Sequence, residues 1–249
     1  MTLAAILLAQ AVAATPSPVV WNNITLGVPA ATLRPLLGDP LRVLVFDNGN
    51  QRIARYWLPG NASTYVLVIE GRGYIKAFHA FTEAVPSAVI ESVTPDPLGI
   101  RLGESYDDVK SKAPQLSSGV EPDGSSSLMA RVSSAFGVVY SFQTKRVHSF
   151  HWSTANGNQQ PQLPPLSDPS GDSTATAILD VQKDEASGVD WEYRYLSFNP
   201  CADNARWQLK NQSLVHEGTR EYDRLHVVCA PTKAERDFYF DITSYFGKL

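Results

Sequence analysis

The sequence is organised around Ile24-Thr-Leu-Gly-Val-Pro-Ala-Ala-Thr-Leu-Arg-Pro-Leu-Leu-Gly-Asp-Pro40. A close copy of its first half returns as Ile100-Arg-Leu-Gly-Glu-Ser-Tyr-Asp-Asp-Val-Lys110. In both copies an apolar segment ends in Leu-Gly, and an aliphatic residue follows six positions after the glycine, at Leu33 and at Val109. Glycine permits the tight turn by which a strand can pass into a helix. Each copy therefore predicts a strand end that is followed by a short helix.

The two predicted helices differ in their start signals. Pro29 suits the first position of a helix, where its missing N–H would be unpaired in any case. Pro35 lies further along and should kink the first helix, because a proline beyond the first turn removes a hydrogen bond. In the second copy Ser105 is a good N-cap, and Asp108 completes an acidic version of the capping box. We expect the second helix to be the better formed of the two.

The duplication extends beyond the Leu-Gly motif. Tyr74-Ile-Lys-Ala-Phe-His79 aligns with Arg146-Val-His-Ser-Phe-His151, so two motifs recur in the same order with a period of about 75 residues. Between them, β-branched and aromatic runs alternate with glycine and asparagine clusters, which is typical of antiparallel hairpins. The sequence predicts repeat 1 at residues 22–84 and repeat 2 at residues 94–153.

The last third of the chain has a different character. Residues 154–173 are rich in Asn, Gln, Pro, Ser and Asp and predict a linker. Trp191-Glu-Tyr-Arg-Tyr195 alternates aromatic and charged residues, as half-buried strands do, and predicts a strand that reaches Phe198. The expected fold class is α+β, with two tandem repeats of a short helical segment on an antiparallel meander. A small, disulfide-bonded, mostly-β domain at residues 174–249 is expected to follow them.

The N-terminal sequence predicts export. An apolar run from Leu3 to Ala14 ends in small residues and is typical of a signal peptide at residues 1–14. It is too short to span a membrane, which takes about 20 apolar residues. Met1 and Thr2 carry no basic side chain, so an upstream start and a buried N-terminal helix stay open as alternatives. The expected location is secreted or periplasmic, with no membrane span.

Net charge and cysteine content limit the classes of partner and site that this chain is expected to have. The chain has 21 Lys and Arg against 25 Asp and Glu, a formal net charge of -4, so no basic field favours nucleic acid as a partner. The two cysteines, Cys201 and Cys229, predict one disulfide in an oxidising compartment. Their spacing fits no metal site.

Taken together, the Leu-Gly segments, the aromatic strand Arg55-Tyr-Trp57 and a last strand entered through Gly71 resemble one known fold. It is shared by β-lactamase-inhibitor protein and the small outer-membrane assembly lipoprotein, and the inhibitor carries the unit twice. The resemblance covers about residues 22–82 and 97–153 and leaves the last third unmatched. Proteins with this fold usually have methionine directly after the glycine and then Ser or Thr, and this chain departs from that pattern. It also lacks the inhibitor's disulfides within the repeats and the lipoprotein's lipid-bearing cysteine. The resemblance implies a protein that binds other proteins.

The resemblance also implies which side chains line the open face of the sheet. If the meanders follow the family, Ile75, Ala77, Val147 and Ser149 face the helices. Aromatic side chains interleaved with Lys, Arg and His are common at binding hot spots. The alternative is that the third domain covers this face. The predicted binding residues are Tyr74, Lys76, Phe78, Arg146, His148 and Phe150.

No catalytic or cofactor motif is present in the sequence, and we expect no cofactor and no metal. His148 and His151 are three apart on a predicted strand and should face opposite sides, while His79 and His151 occupy equivalent positions and predict a structural role. The expected function is a non-enzymatic protein-binding or envelope-associated module, with its partner in the envelope or extracellular space. One alternative is a hydrolase between the repeats and the tail that uses His226 or His216 with Asp223 or Asp241. Another is scaffold repeats with the function in the C-terminal domain.

Overall fold

The structure is a computed structural model that describes residues 19–46, 51–58, 64–83, 86–120, 126–132, 135–154 and 170–248. The predicted signal peptide and most of the predicted linker lie outside the described residues. Of the described residues, 46% are in strands and 17% are helical. The chain is therefore mostly β.

An eight-stranded antiparallel sheet dominates the fold, and a small ladder of β1 (Val20–Trp21) and β2 (Ile24–Thr25) precedes it. The order across the large sheet places its fourth and last strands along the chain, β6 and β10, side by side at the centre, as β3-β4-β5-β6-β10-β9-β8-β7. The strands are β3 (Arg42–Phe46), β4 (Gln51–Trp57), β5 (Thr64–Gly71), β6 (Tyr74–Thr82), β7 (Ser117–Val120), β8 (Ser126–Arg131), β9 (Phe136–Gln143) and β10 (Arg146–Thr154).

Both Leu-Gly segments attach to the central strands of this sheet. Gly27 N–H donates to the Ile75 carbonyl and Gly103 N–H donates to the Val147 carbonyl, each at 2.8 Å. The two glycines have φ of 83° and 85°, a left-handed conformation that glycine adopts without strain. The segments are thereby held against β6 and β10.

The helices that follow the glycines are short. After Gly27 the chain forms a 3₁₀ turn (Ala30–Thr32) and then α1 (Arg34–Leu37), so the helical segment is divided at Leu33, and Pro35 lies in the first turn of α1. After Gly103, α2 (Tyr106–Lys112) is longer, and the Ser105 hydroxyl accepts a hydrogen bond from Asp108 N–H as predicted. These helical segments cover one face of the sheet and bury a core against it. Its largest members are the aromatic residues Trp21, Tyr56, Phe78, Tyr140, Phe142, Phe150 and Trp152.

The predicted fold class is wrong. Two separate tandem units, each a helix on its own meander, are not formed, because β6 and β10 pair and all eight strands make one continuous sheet. The described chain is also dominated by strands rather than divided between helix and strand. Periodicity along each segment predicts strands and cannot predict which distant strand edges will pair.

The C-terminal part departs from the prediction as well. The predicted strand from Trp191 lies inside α3 (Glu185–Phe198), a helix of 14 residues. Asp184 caps it by accepting from Ser187 N–H at 2.9 Å. Its buried residues have helical spacing, and they are Gly188, Trp191, Glu192 and Leu196.

Helix α3 packs on a second, four-stranded sheet. The order in that sheet is β11-β14-β13-β12, with β11 parallel to β14 and the other pairs antiparallel. Its core also takes in Leu41, just before β3, and Trp57 and Tyr65 of the large sheet, so a corner of that sheet is covered by this part of the chain. The strands are β11 (Ile178–Leu179), β12 (Trp207–Glu217), β13 (Arg220–Cys229) and β14 (Glu235–Asp241), with 3₁₀ turns at Thr174–Thr176 and Ala202–Asn204.

Candidate binding face of the large sheet

The large sheet presents a face on the side away from α1 and α2, and we call it the open face. On β5, Val66 and Val68 are fully buried under the helices, so Leu67 and Ile69, which alternate with them along the strand, point to the other side, where they are half-buried. Toward its edges the same face exposes Leu44 and Met129 by 44% and 42%. The open face is formed by Leu44, Ile53, Leu67, Ile69, His79, Met129, Val139 and His151.

Two β-bulges decide which side chains reach this face. On β6, Ile75 and Ala77 pair with successive residues of β5, so Lys76 is an extra residue. On β10, the register shifts between Val147 and Ser149 in the same way. A bulge reverses the alternation of side chains beyond it.

The bulges overturn part of the predicted binding set. Phe78 and Phe150 lie on the helix side, fully buried, with their ring centroids 5.4 and 5.2 Å from that of Trp21. They are core residues. The sequence did carry a signal, because the apolar pairs Ile75/Phe78 and Val147/Phe150 are spaced by three residues and not by two.

The other four predicted residues lie at the turn-proximal end of the central strands and are half-buried. The Lys76 side chain lies beside Gly71, with its Nζ 5.9 Å from the Tyr74 ring centroid. Arg146 donates to the Gly103 carbonyl at 2.6 Å, which ties it to the Leu-Gly segment. His148 lies close enough to His79 to lower the pKa of that histidine. Their role in binding stays a prediction.

A histidine pair lies at the centre of the open face. His79 and His151 are cross-strand partners, with ring centroids 5.8 Å apart and ring planes at 89°. Burial, with smaller contributions from His151 and His148, lowers the pKa of His79 to about 4, and burial also lowers the pKa of His151. Both imidazoles are therefore neutral near pH 7. The sequence paired these positions but assigned them only a structural role.

The strands of the large sheet carry an unusual charge balance. Their one acid is Glu70, which lies on the helix side, 3% exposed, with the Arg52 Nε 2.6 Å from its carboxylate. Six Lys and Arg residues occur on the same strands, in a chain whose net charge is -4. Arg52 shares the helix side with Glu70, whereas Arg42, Arg55 and Arg131 lie on the same side of their strands as Leu44, Ile53 and Met129. The open face thus offers aliphatic groups, neutral histidines and cations, and its strands place no carboxylate there.

The hydrolase alternative does not find its expected pairs. His226 Nδ1 lies 2.8 Å from an oxygen of Asp237, and His216 pairs with Glu221. The two carboxylates expected in the site have other partners. Asp223 accepts a hydrogen bond from the Gln212 amide, and an Asp241 carboxylate oxygen lies 3.3 Å from Arg220 Nη1. Neither histidine meets Asp223 or Asp241.

A group of buried carboxyls lies in the C-terminal part, which sequence reasoning missed. Asp180, Glu192 and Asp223 are 0%, 1% and 9% exposed. Burial raises the pKa of Asp180 to about 7 and, with the charges of Asp223 and Asp180, raises the pKa of Glu192 well above its usual range. Because these three carboxyls are almost fully buried, a substrate cannot reach them.

The predicted disulfide is confirmed. Cys201 and Cys229 are bonded, with their Cα atoms 5.7 Å apart, and the bond ties the start of a 3₁₀ turn to the end of β13. Within the described ranges, no three His, Cys, Asp or Glu side chains are placed to hold a metal ion. Within the same ranges, no helix has the length and apolar character to cross a membrane.

Comparison with known proteins returned few matches. No family model matches the chain, and no curated protein matches it. Among solved structures, it is similar to an extracellular protein with an SCP domain from Bacillus anthracis, at 14% identity and a TM-score of 0.36 over 51% of this chain. It is also similar to a cysteine-rich secretory protein from Staphylococcus aureus, at 16% identity and a TM-score of 0.35 over 52% of this chain. The chain spans 43% of the length of each.

A third solved structure bears on the expected resemblance. It is a candidate β-lactamase inhibitor protein from Streptococcus mutans, 14% identical, which aligns with 54% of this chain and 90% of its own at a TM-score of 0.21. A distant neighbour of the expected kind therefore exists, and neither a tandem repeat nor an unmatched C-terminal part follows from it. At TM-scores below 0.5, none of the three alignments carries an argument about fold or function.

Proposed function

We propose that this chain is an exported protein-binding module that uses the open face of its large sheet. The proposed partner is a protein whose surface combines carboxylates with apolar side chains. The observation that carries the proposal is the composition of the face, which combines half-buried aliphatic residues and neutral histidines with the cations Arg42, Arg55 and Arg131, on strands whose one acid is turned away. A partner with the opposite charge would be attracted to such a face and held by its apolar centre.

Two further observations support export. The Cys201–Cys229 disulfide is stable in oxidising compartments and uncommon in reducing ones. The apolar run at residues 3–14 predicts a signal peptide. Both fit a protein that acts outside the cytoplasm.

Site-specific photo-cross-linking tests the face directly. A photoreactive phenylalanine at Val139, on the open face, is compared with the same residue at Val189, which is 41% exposed on α3. Both proteins are incubated with a defined secreted or envelope protein extract, and the cross-linked partners are identified by mass spectrometry. We expect an acidic partner at position 139 that is absent at position 189. Identical partners at both positions would overturn the proposal.

A charge-reversal pair tests the electrostatic part. Lys76→Glu places a carboxylate in the bulge of β6, three residues before His79 of the open face, whereas Lys210→Glu makes the same change on an exposed strand of the second sheet. We expect the first change to weaken capture of the cross-linked partner at least tenfold and the second to leave it within twofold. Loss of the partner with Lys210→Glu alone would instead place the function in the C-terminal part.

A further inference from the structure

The free edges of the two sheets are protected unequally. An edge strand leaves backbone N–H and C=O groups unpaired, and proteins usually shield such edges with charges, bulges or short length. Strand β7 has four residues and begins Ser-Ser-Gly, and β11 has two. Strand β12 is long but polar, with Lys210 in a bulge. Each of these three edges carries a recognised protection.

Strand β3, the fourth edge, has none of these protections apart from the charge of its first residue, Arg42. After Arg42 its sequence is Val-Leu-Val-Phe, without a charge, a proline or a bulge in its pairing with β4. Leu44, Val45 and Phe46 are exposed by 44%, 58% and 47%. Three consecutive exposed apolar residues on a strand are costly unless they serve a purpose. Among the strands that the structure describes, β3 is the edge prepared for pairing.

We propose that β3 is a docking strand for a second copy of this chain, with the two β3 strands antiparallel across a two-fold axis. The β3 side chains are self-complementary in the register centred on Leu44. Leu44 then meets Leu44 of the second copy, Val43 meets Val45, and Arg42 meets Phe46. No like charges are opposed, and each Arg42 gains an aromatic ring as its neighbour. This inference does not require the partner proposed above.

The structure also limits how far the pairing extends. Asn199 Nδ2 donates to the Leu41 carbonyl at 2.7 Å, so the C-terminal part covers the chain just before β3. The pairing therefore spans residues 42–46, which buries less than the roughly 1,200 Å² of a standard stable interface. We expect a weak, concentration-dependent dimer with a dissociation constant on the order of 100 µM. Its sheet would have sixteen strands, with the two open faces on the same side.

Analytical ultracentrifugation tests the dimer. The average mass of the purified wild-type protein should rise from the monomer toward twice that value between about 10 µM and about 1 mM. Val45→Lys, which inserts a charge at the most exposed apolar position of β3, should raise the dissociation constant at least tenfold. The matched control is Leu214→Lys, at a position 43% exposed on β12, and it should associate as the wild type does.

Disulfide trapping tests the register. The chain's two cysteines are bonded to each other, so Leu44→Cys adds one free thiol, which the proposed register places opposite its own copy. Oxidation should trap this dimer at least ten times faster than the Leu214→Cys control, because facing residues of antiparallel strands lie within disulfide reach. A wild type that stays monomeric to about 1 mM would overturn the inference. Equal trapping at both positions, or normal association of Val45→Lys, would overturn it as well.

Discussion

The large sheet and the C-terminal part handle buried ionisable groups in different ways. In the sheet the buried pair of Arg52 and Glu70 is joined at 2.6 Å, while the histidines are buried as neutral bases. In the C-terminal part three acids are buried together, and among the described residues no Lys or Arg pairs with Asp180, Glu192 or Asp223. A buried base is destabilised by acid and a buried acid by alkali. The two regions should therefore respond to pH in opposite ways at these groups.

The comparison also teaches something about packing. The sheet core is built from side chains that alternate along strands. The second core depends on one face of α3 and on Leu41, Trp57 and Tyr65 from the first part of the chain. We therefore expect the core of the large sheet to stay folded when the C-terminal part is destabilised. We expect the stability of the C-terminal core to depend on the Cys201–Cys229 disulfide.

The largest expected effect is in the sheet core. Trp152 is fully buried and its Nε1 donates to Asp96 at 3.0 Å, so Trp152→Ala should lower the free energy of unfolding by about 3–5 kcal/mol. Chemical denaturation measures the loss, and hydrogen exchange should accelerate first in β9 and β10. Val20→Ala, at a position 46% exposed, is the control and should stay within about 0.5 kcal/mol. A loss below about 1 kcal/mol for Trp152→Ala would contradict the importance of this core.

The next effect is in the C-terminal part. The disulfide closes a sequence separation of 28 residues, so replacing Cys201 and Cys229 by alanine should cost about 3–4 kcal/mol. Hydrogen exchange should show the loss in β12 and β13 and leave β9 and β10 protected. Reduced wild-type protein serves as the control and should match the double variant. Equal deprotection of both sheets would mean that the two regions unfold as one unit.

A smaller effect is expected in the pH dependence of the stability of the large sheet. Because the pKa of His79 falls from 6.5 to about 4 on folding, the stability it contributes is present above pH 6.5 and is lost as the pH falls toward 4. His79→Phe should remove about 1–2 kcal/mol of the wild-type loss between pH 7 and pH 5. Burial raises the pKa of Asp96, which acts in the opposite sense, so the variant rather than the wild type isolates the histidine. Parallel stability–pH curves for the two proteins would refute the assignment.

The smallest effect has the opposite sign. Burial raises the folded-state pKa of Glu192 well above its usual range, and it raises that of Asp180 to about 7. The stability that depends on their protonated forms is therefore present below pH 4 and is lost as the pH rises through these folded-state pKa values. Glu192→Gln removes one of these charges and should stabilise the protein at pH 8 by about 1 kcal/mol, with little change at pH 4. Thermal melts at the two pH values measure it. Glu217→Gln, at the exposed end of β12, is the control, and an equal gain there would discount burial as the cause.

Much of the local structure could be predicted from the sequence. The left-handed glycines after Leu26 and Leu102, the Ser105 cap and the hairpin strands depend on residues near each other in the chain. The strand predicted at Trp191 failed because Trp191 and Tyr195 fit a strand face by alternation and a helix face by their spacing of four. Tertiary burial of Gly188 and Leu196 decided for the helix.

For this protein, the sequence by itself determined where the chain turns in the first two thirds, which segments of the large sheet are extended, and that its two cysteines form a pair. Only the tertiary structure decided that β6 and β10 join two meanders into one sheet, that bulges at Lys76 and His148 bury Phe78 and Phe150, and that β3 is left as an unprotected edge. The physical reason is that turns and caps are satisfied by neighbouring backbone groups. The register and exposure of a strand depend on hydrogen bonds and packing with residues far away in the chain.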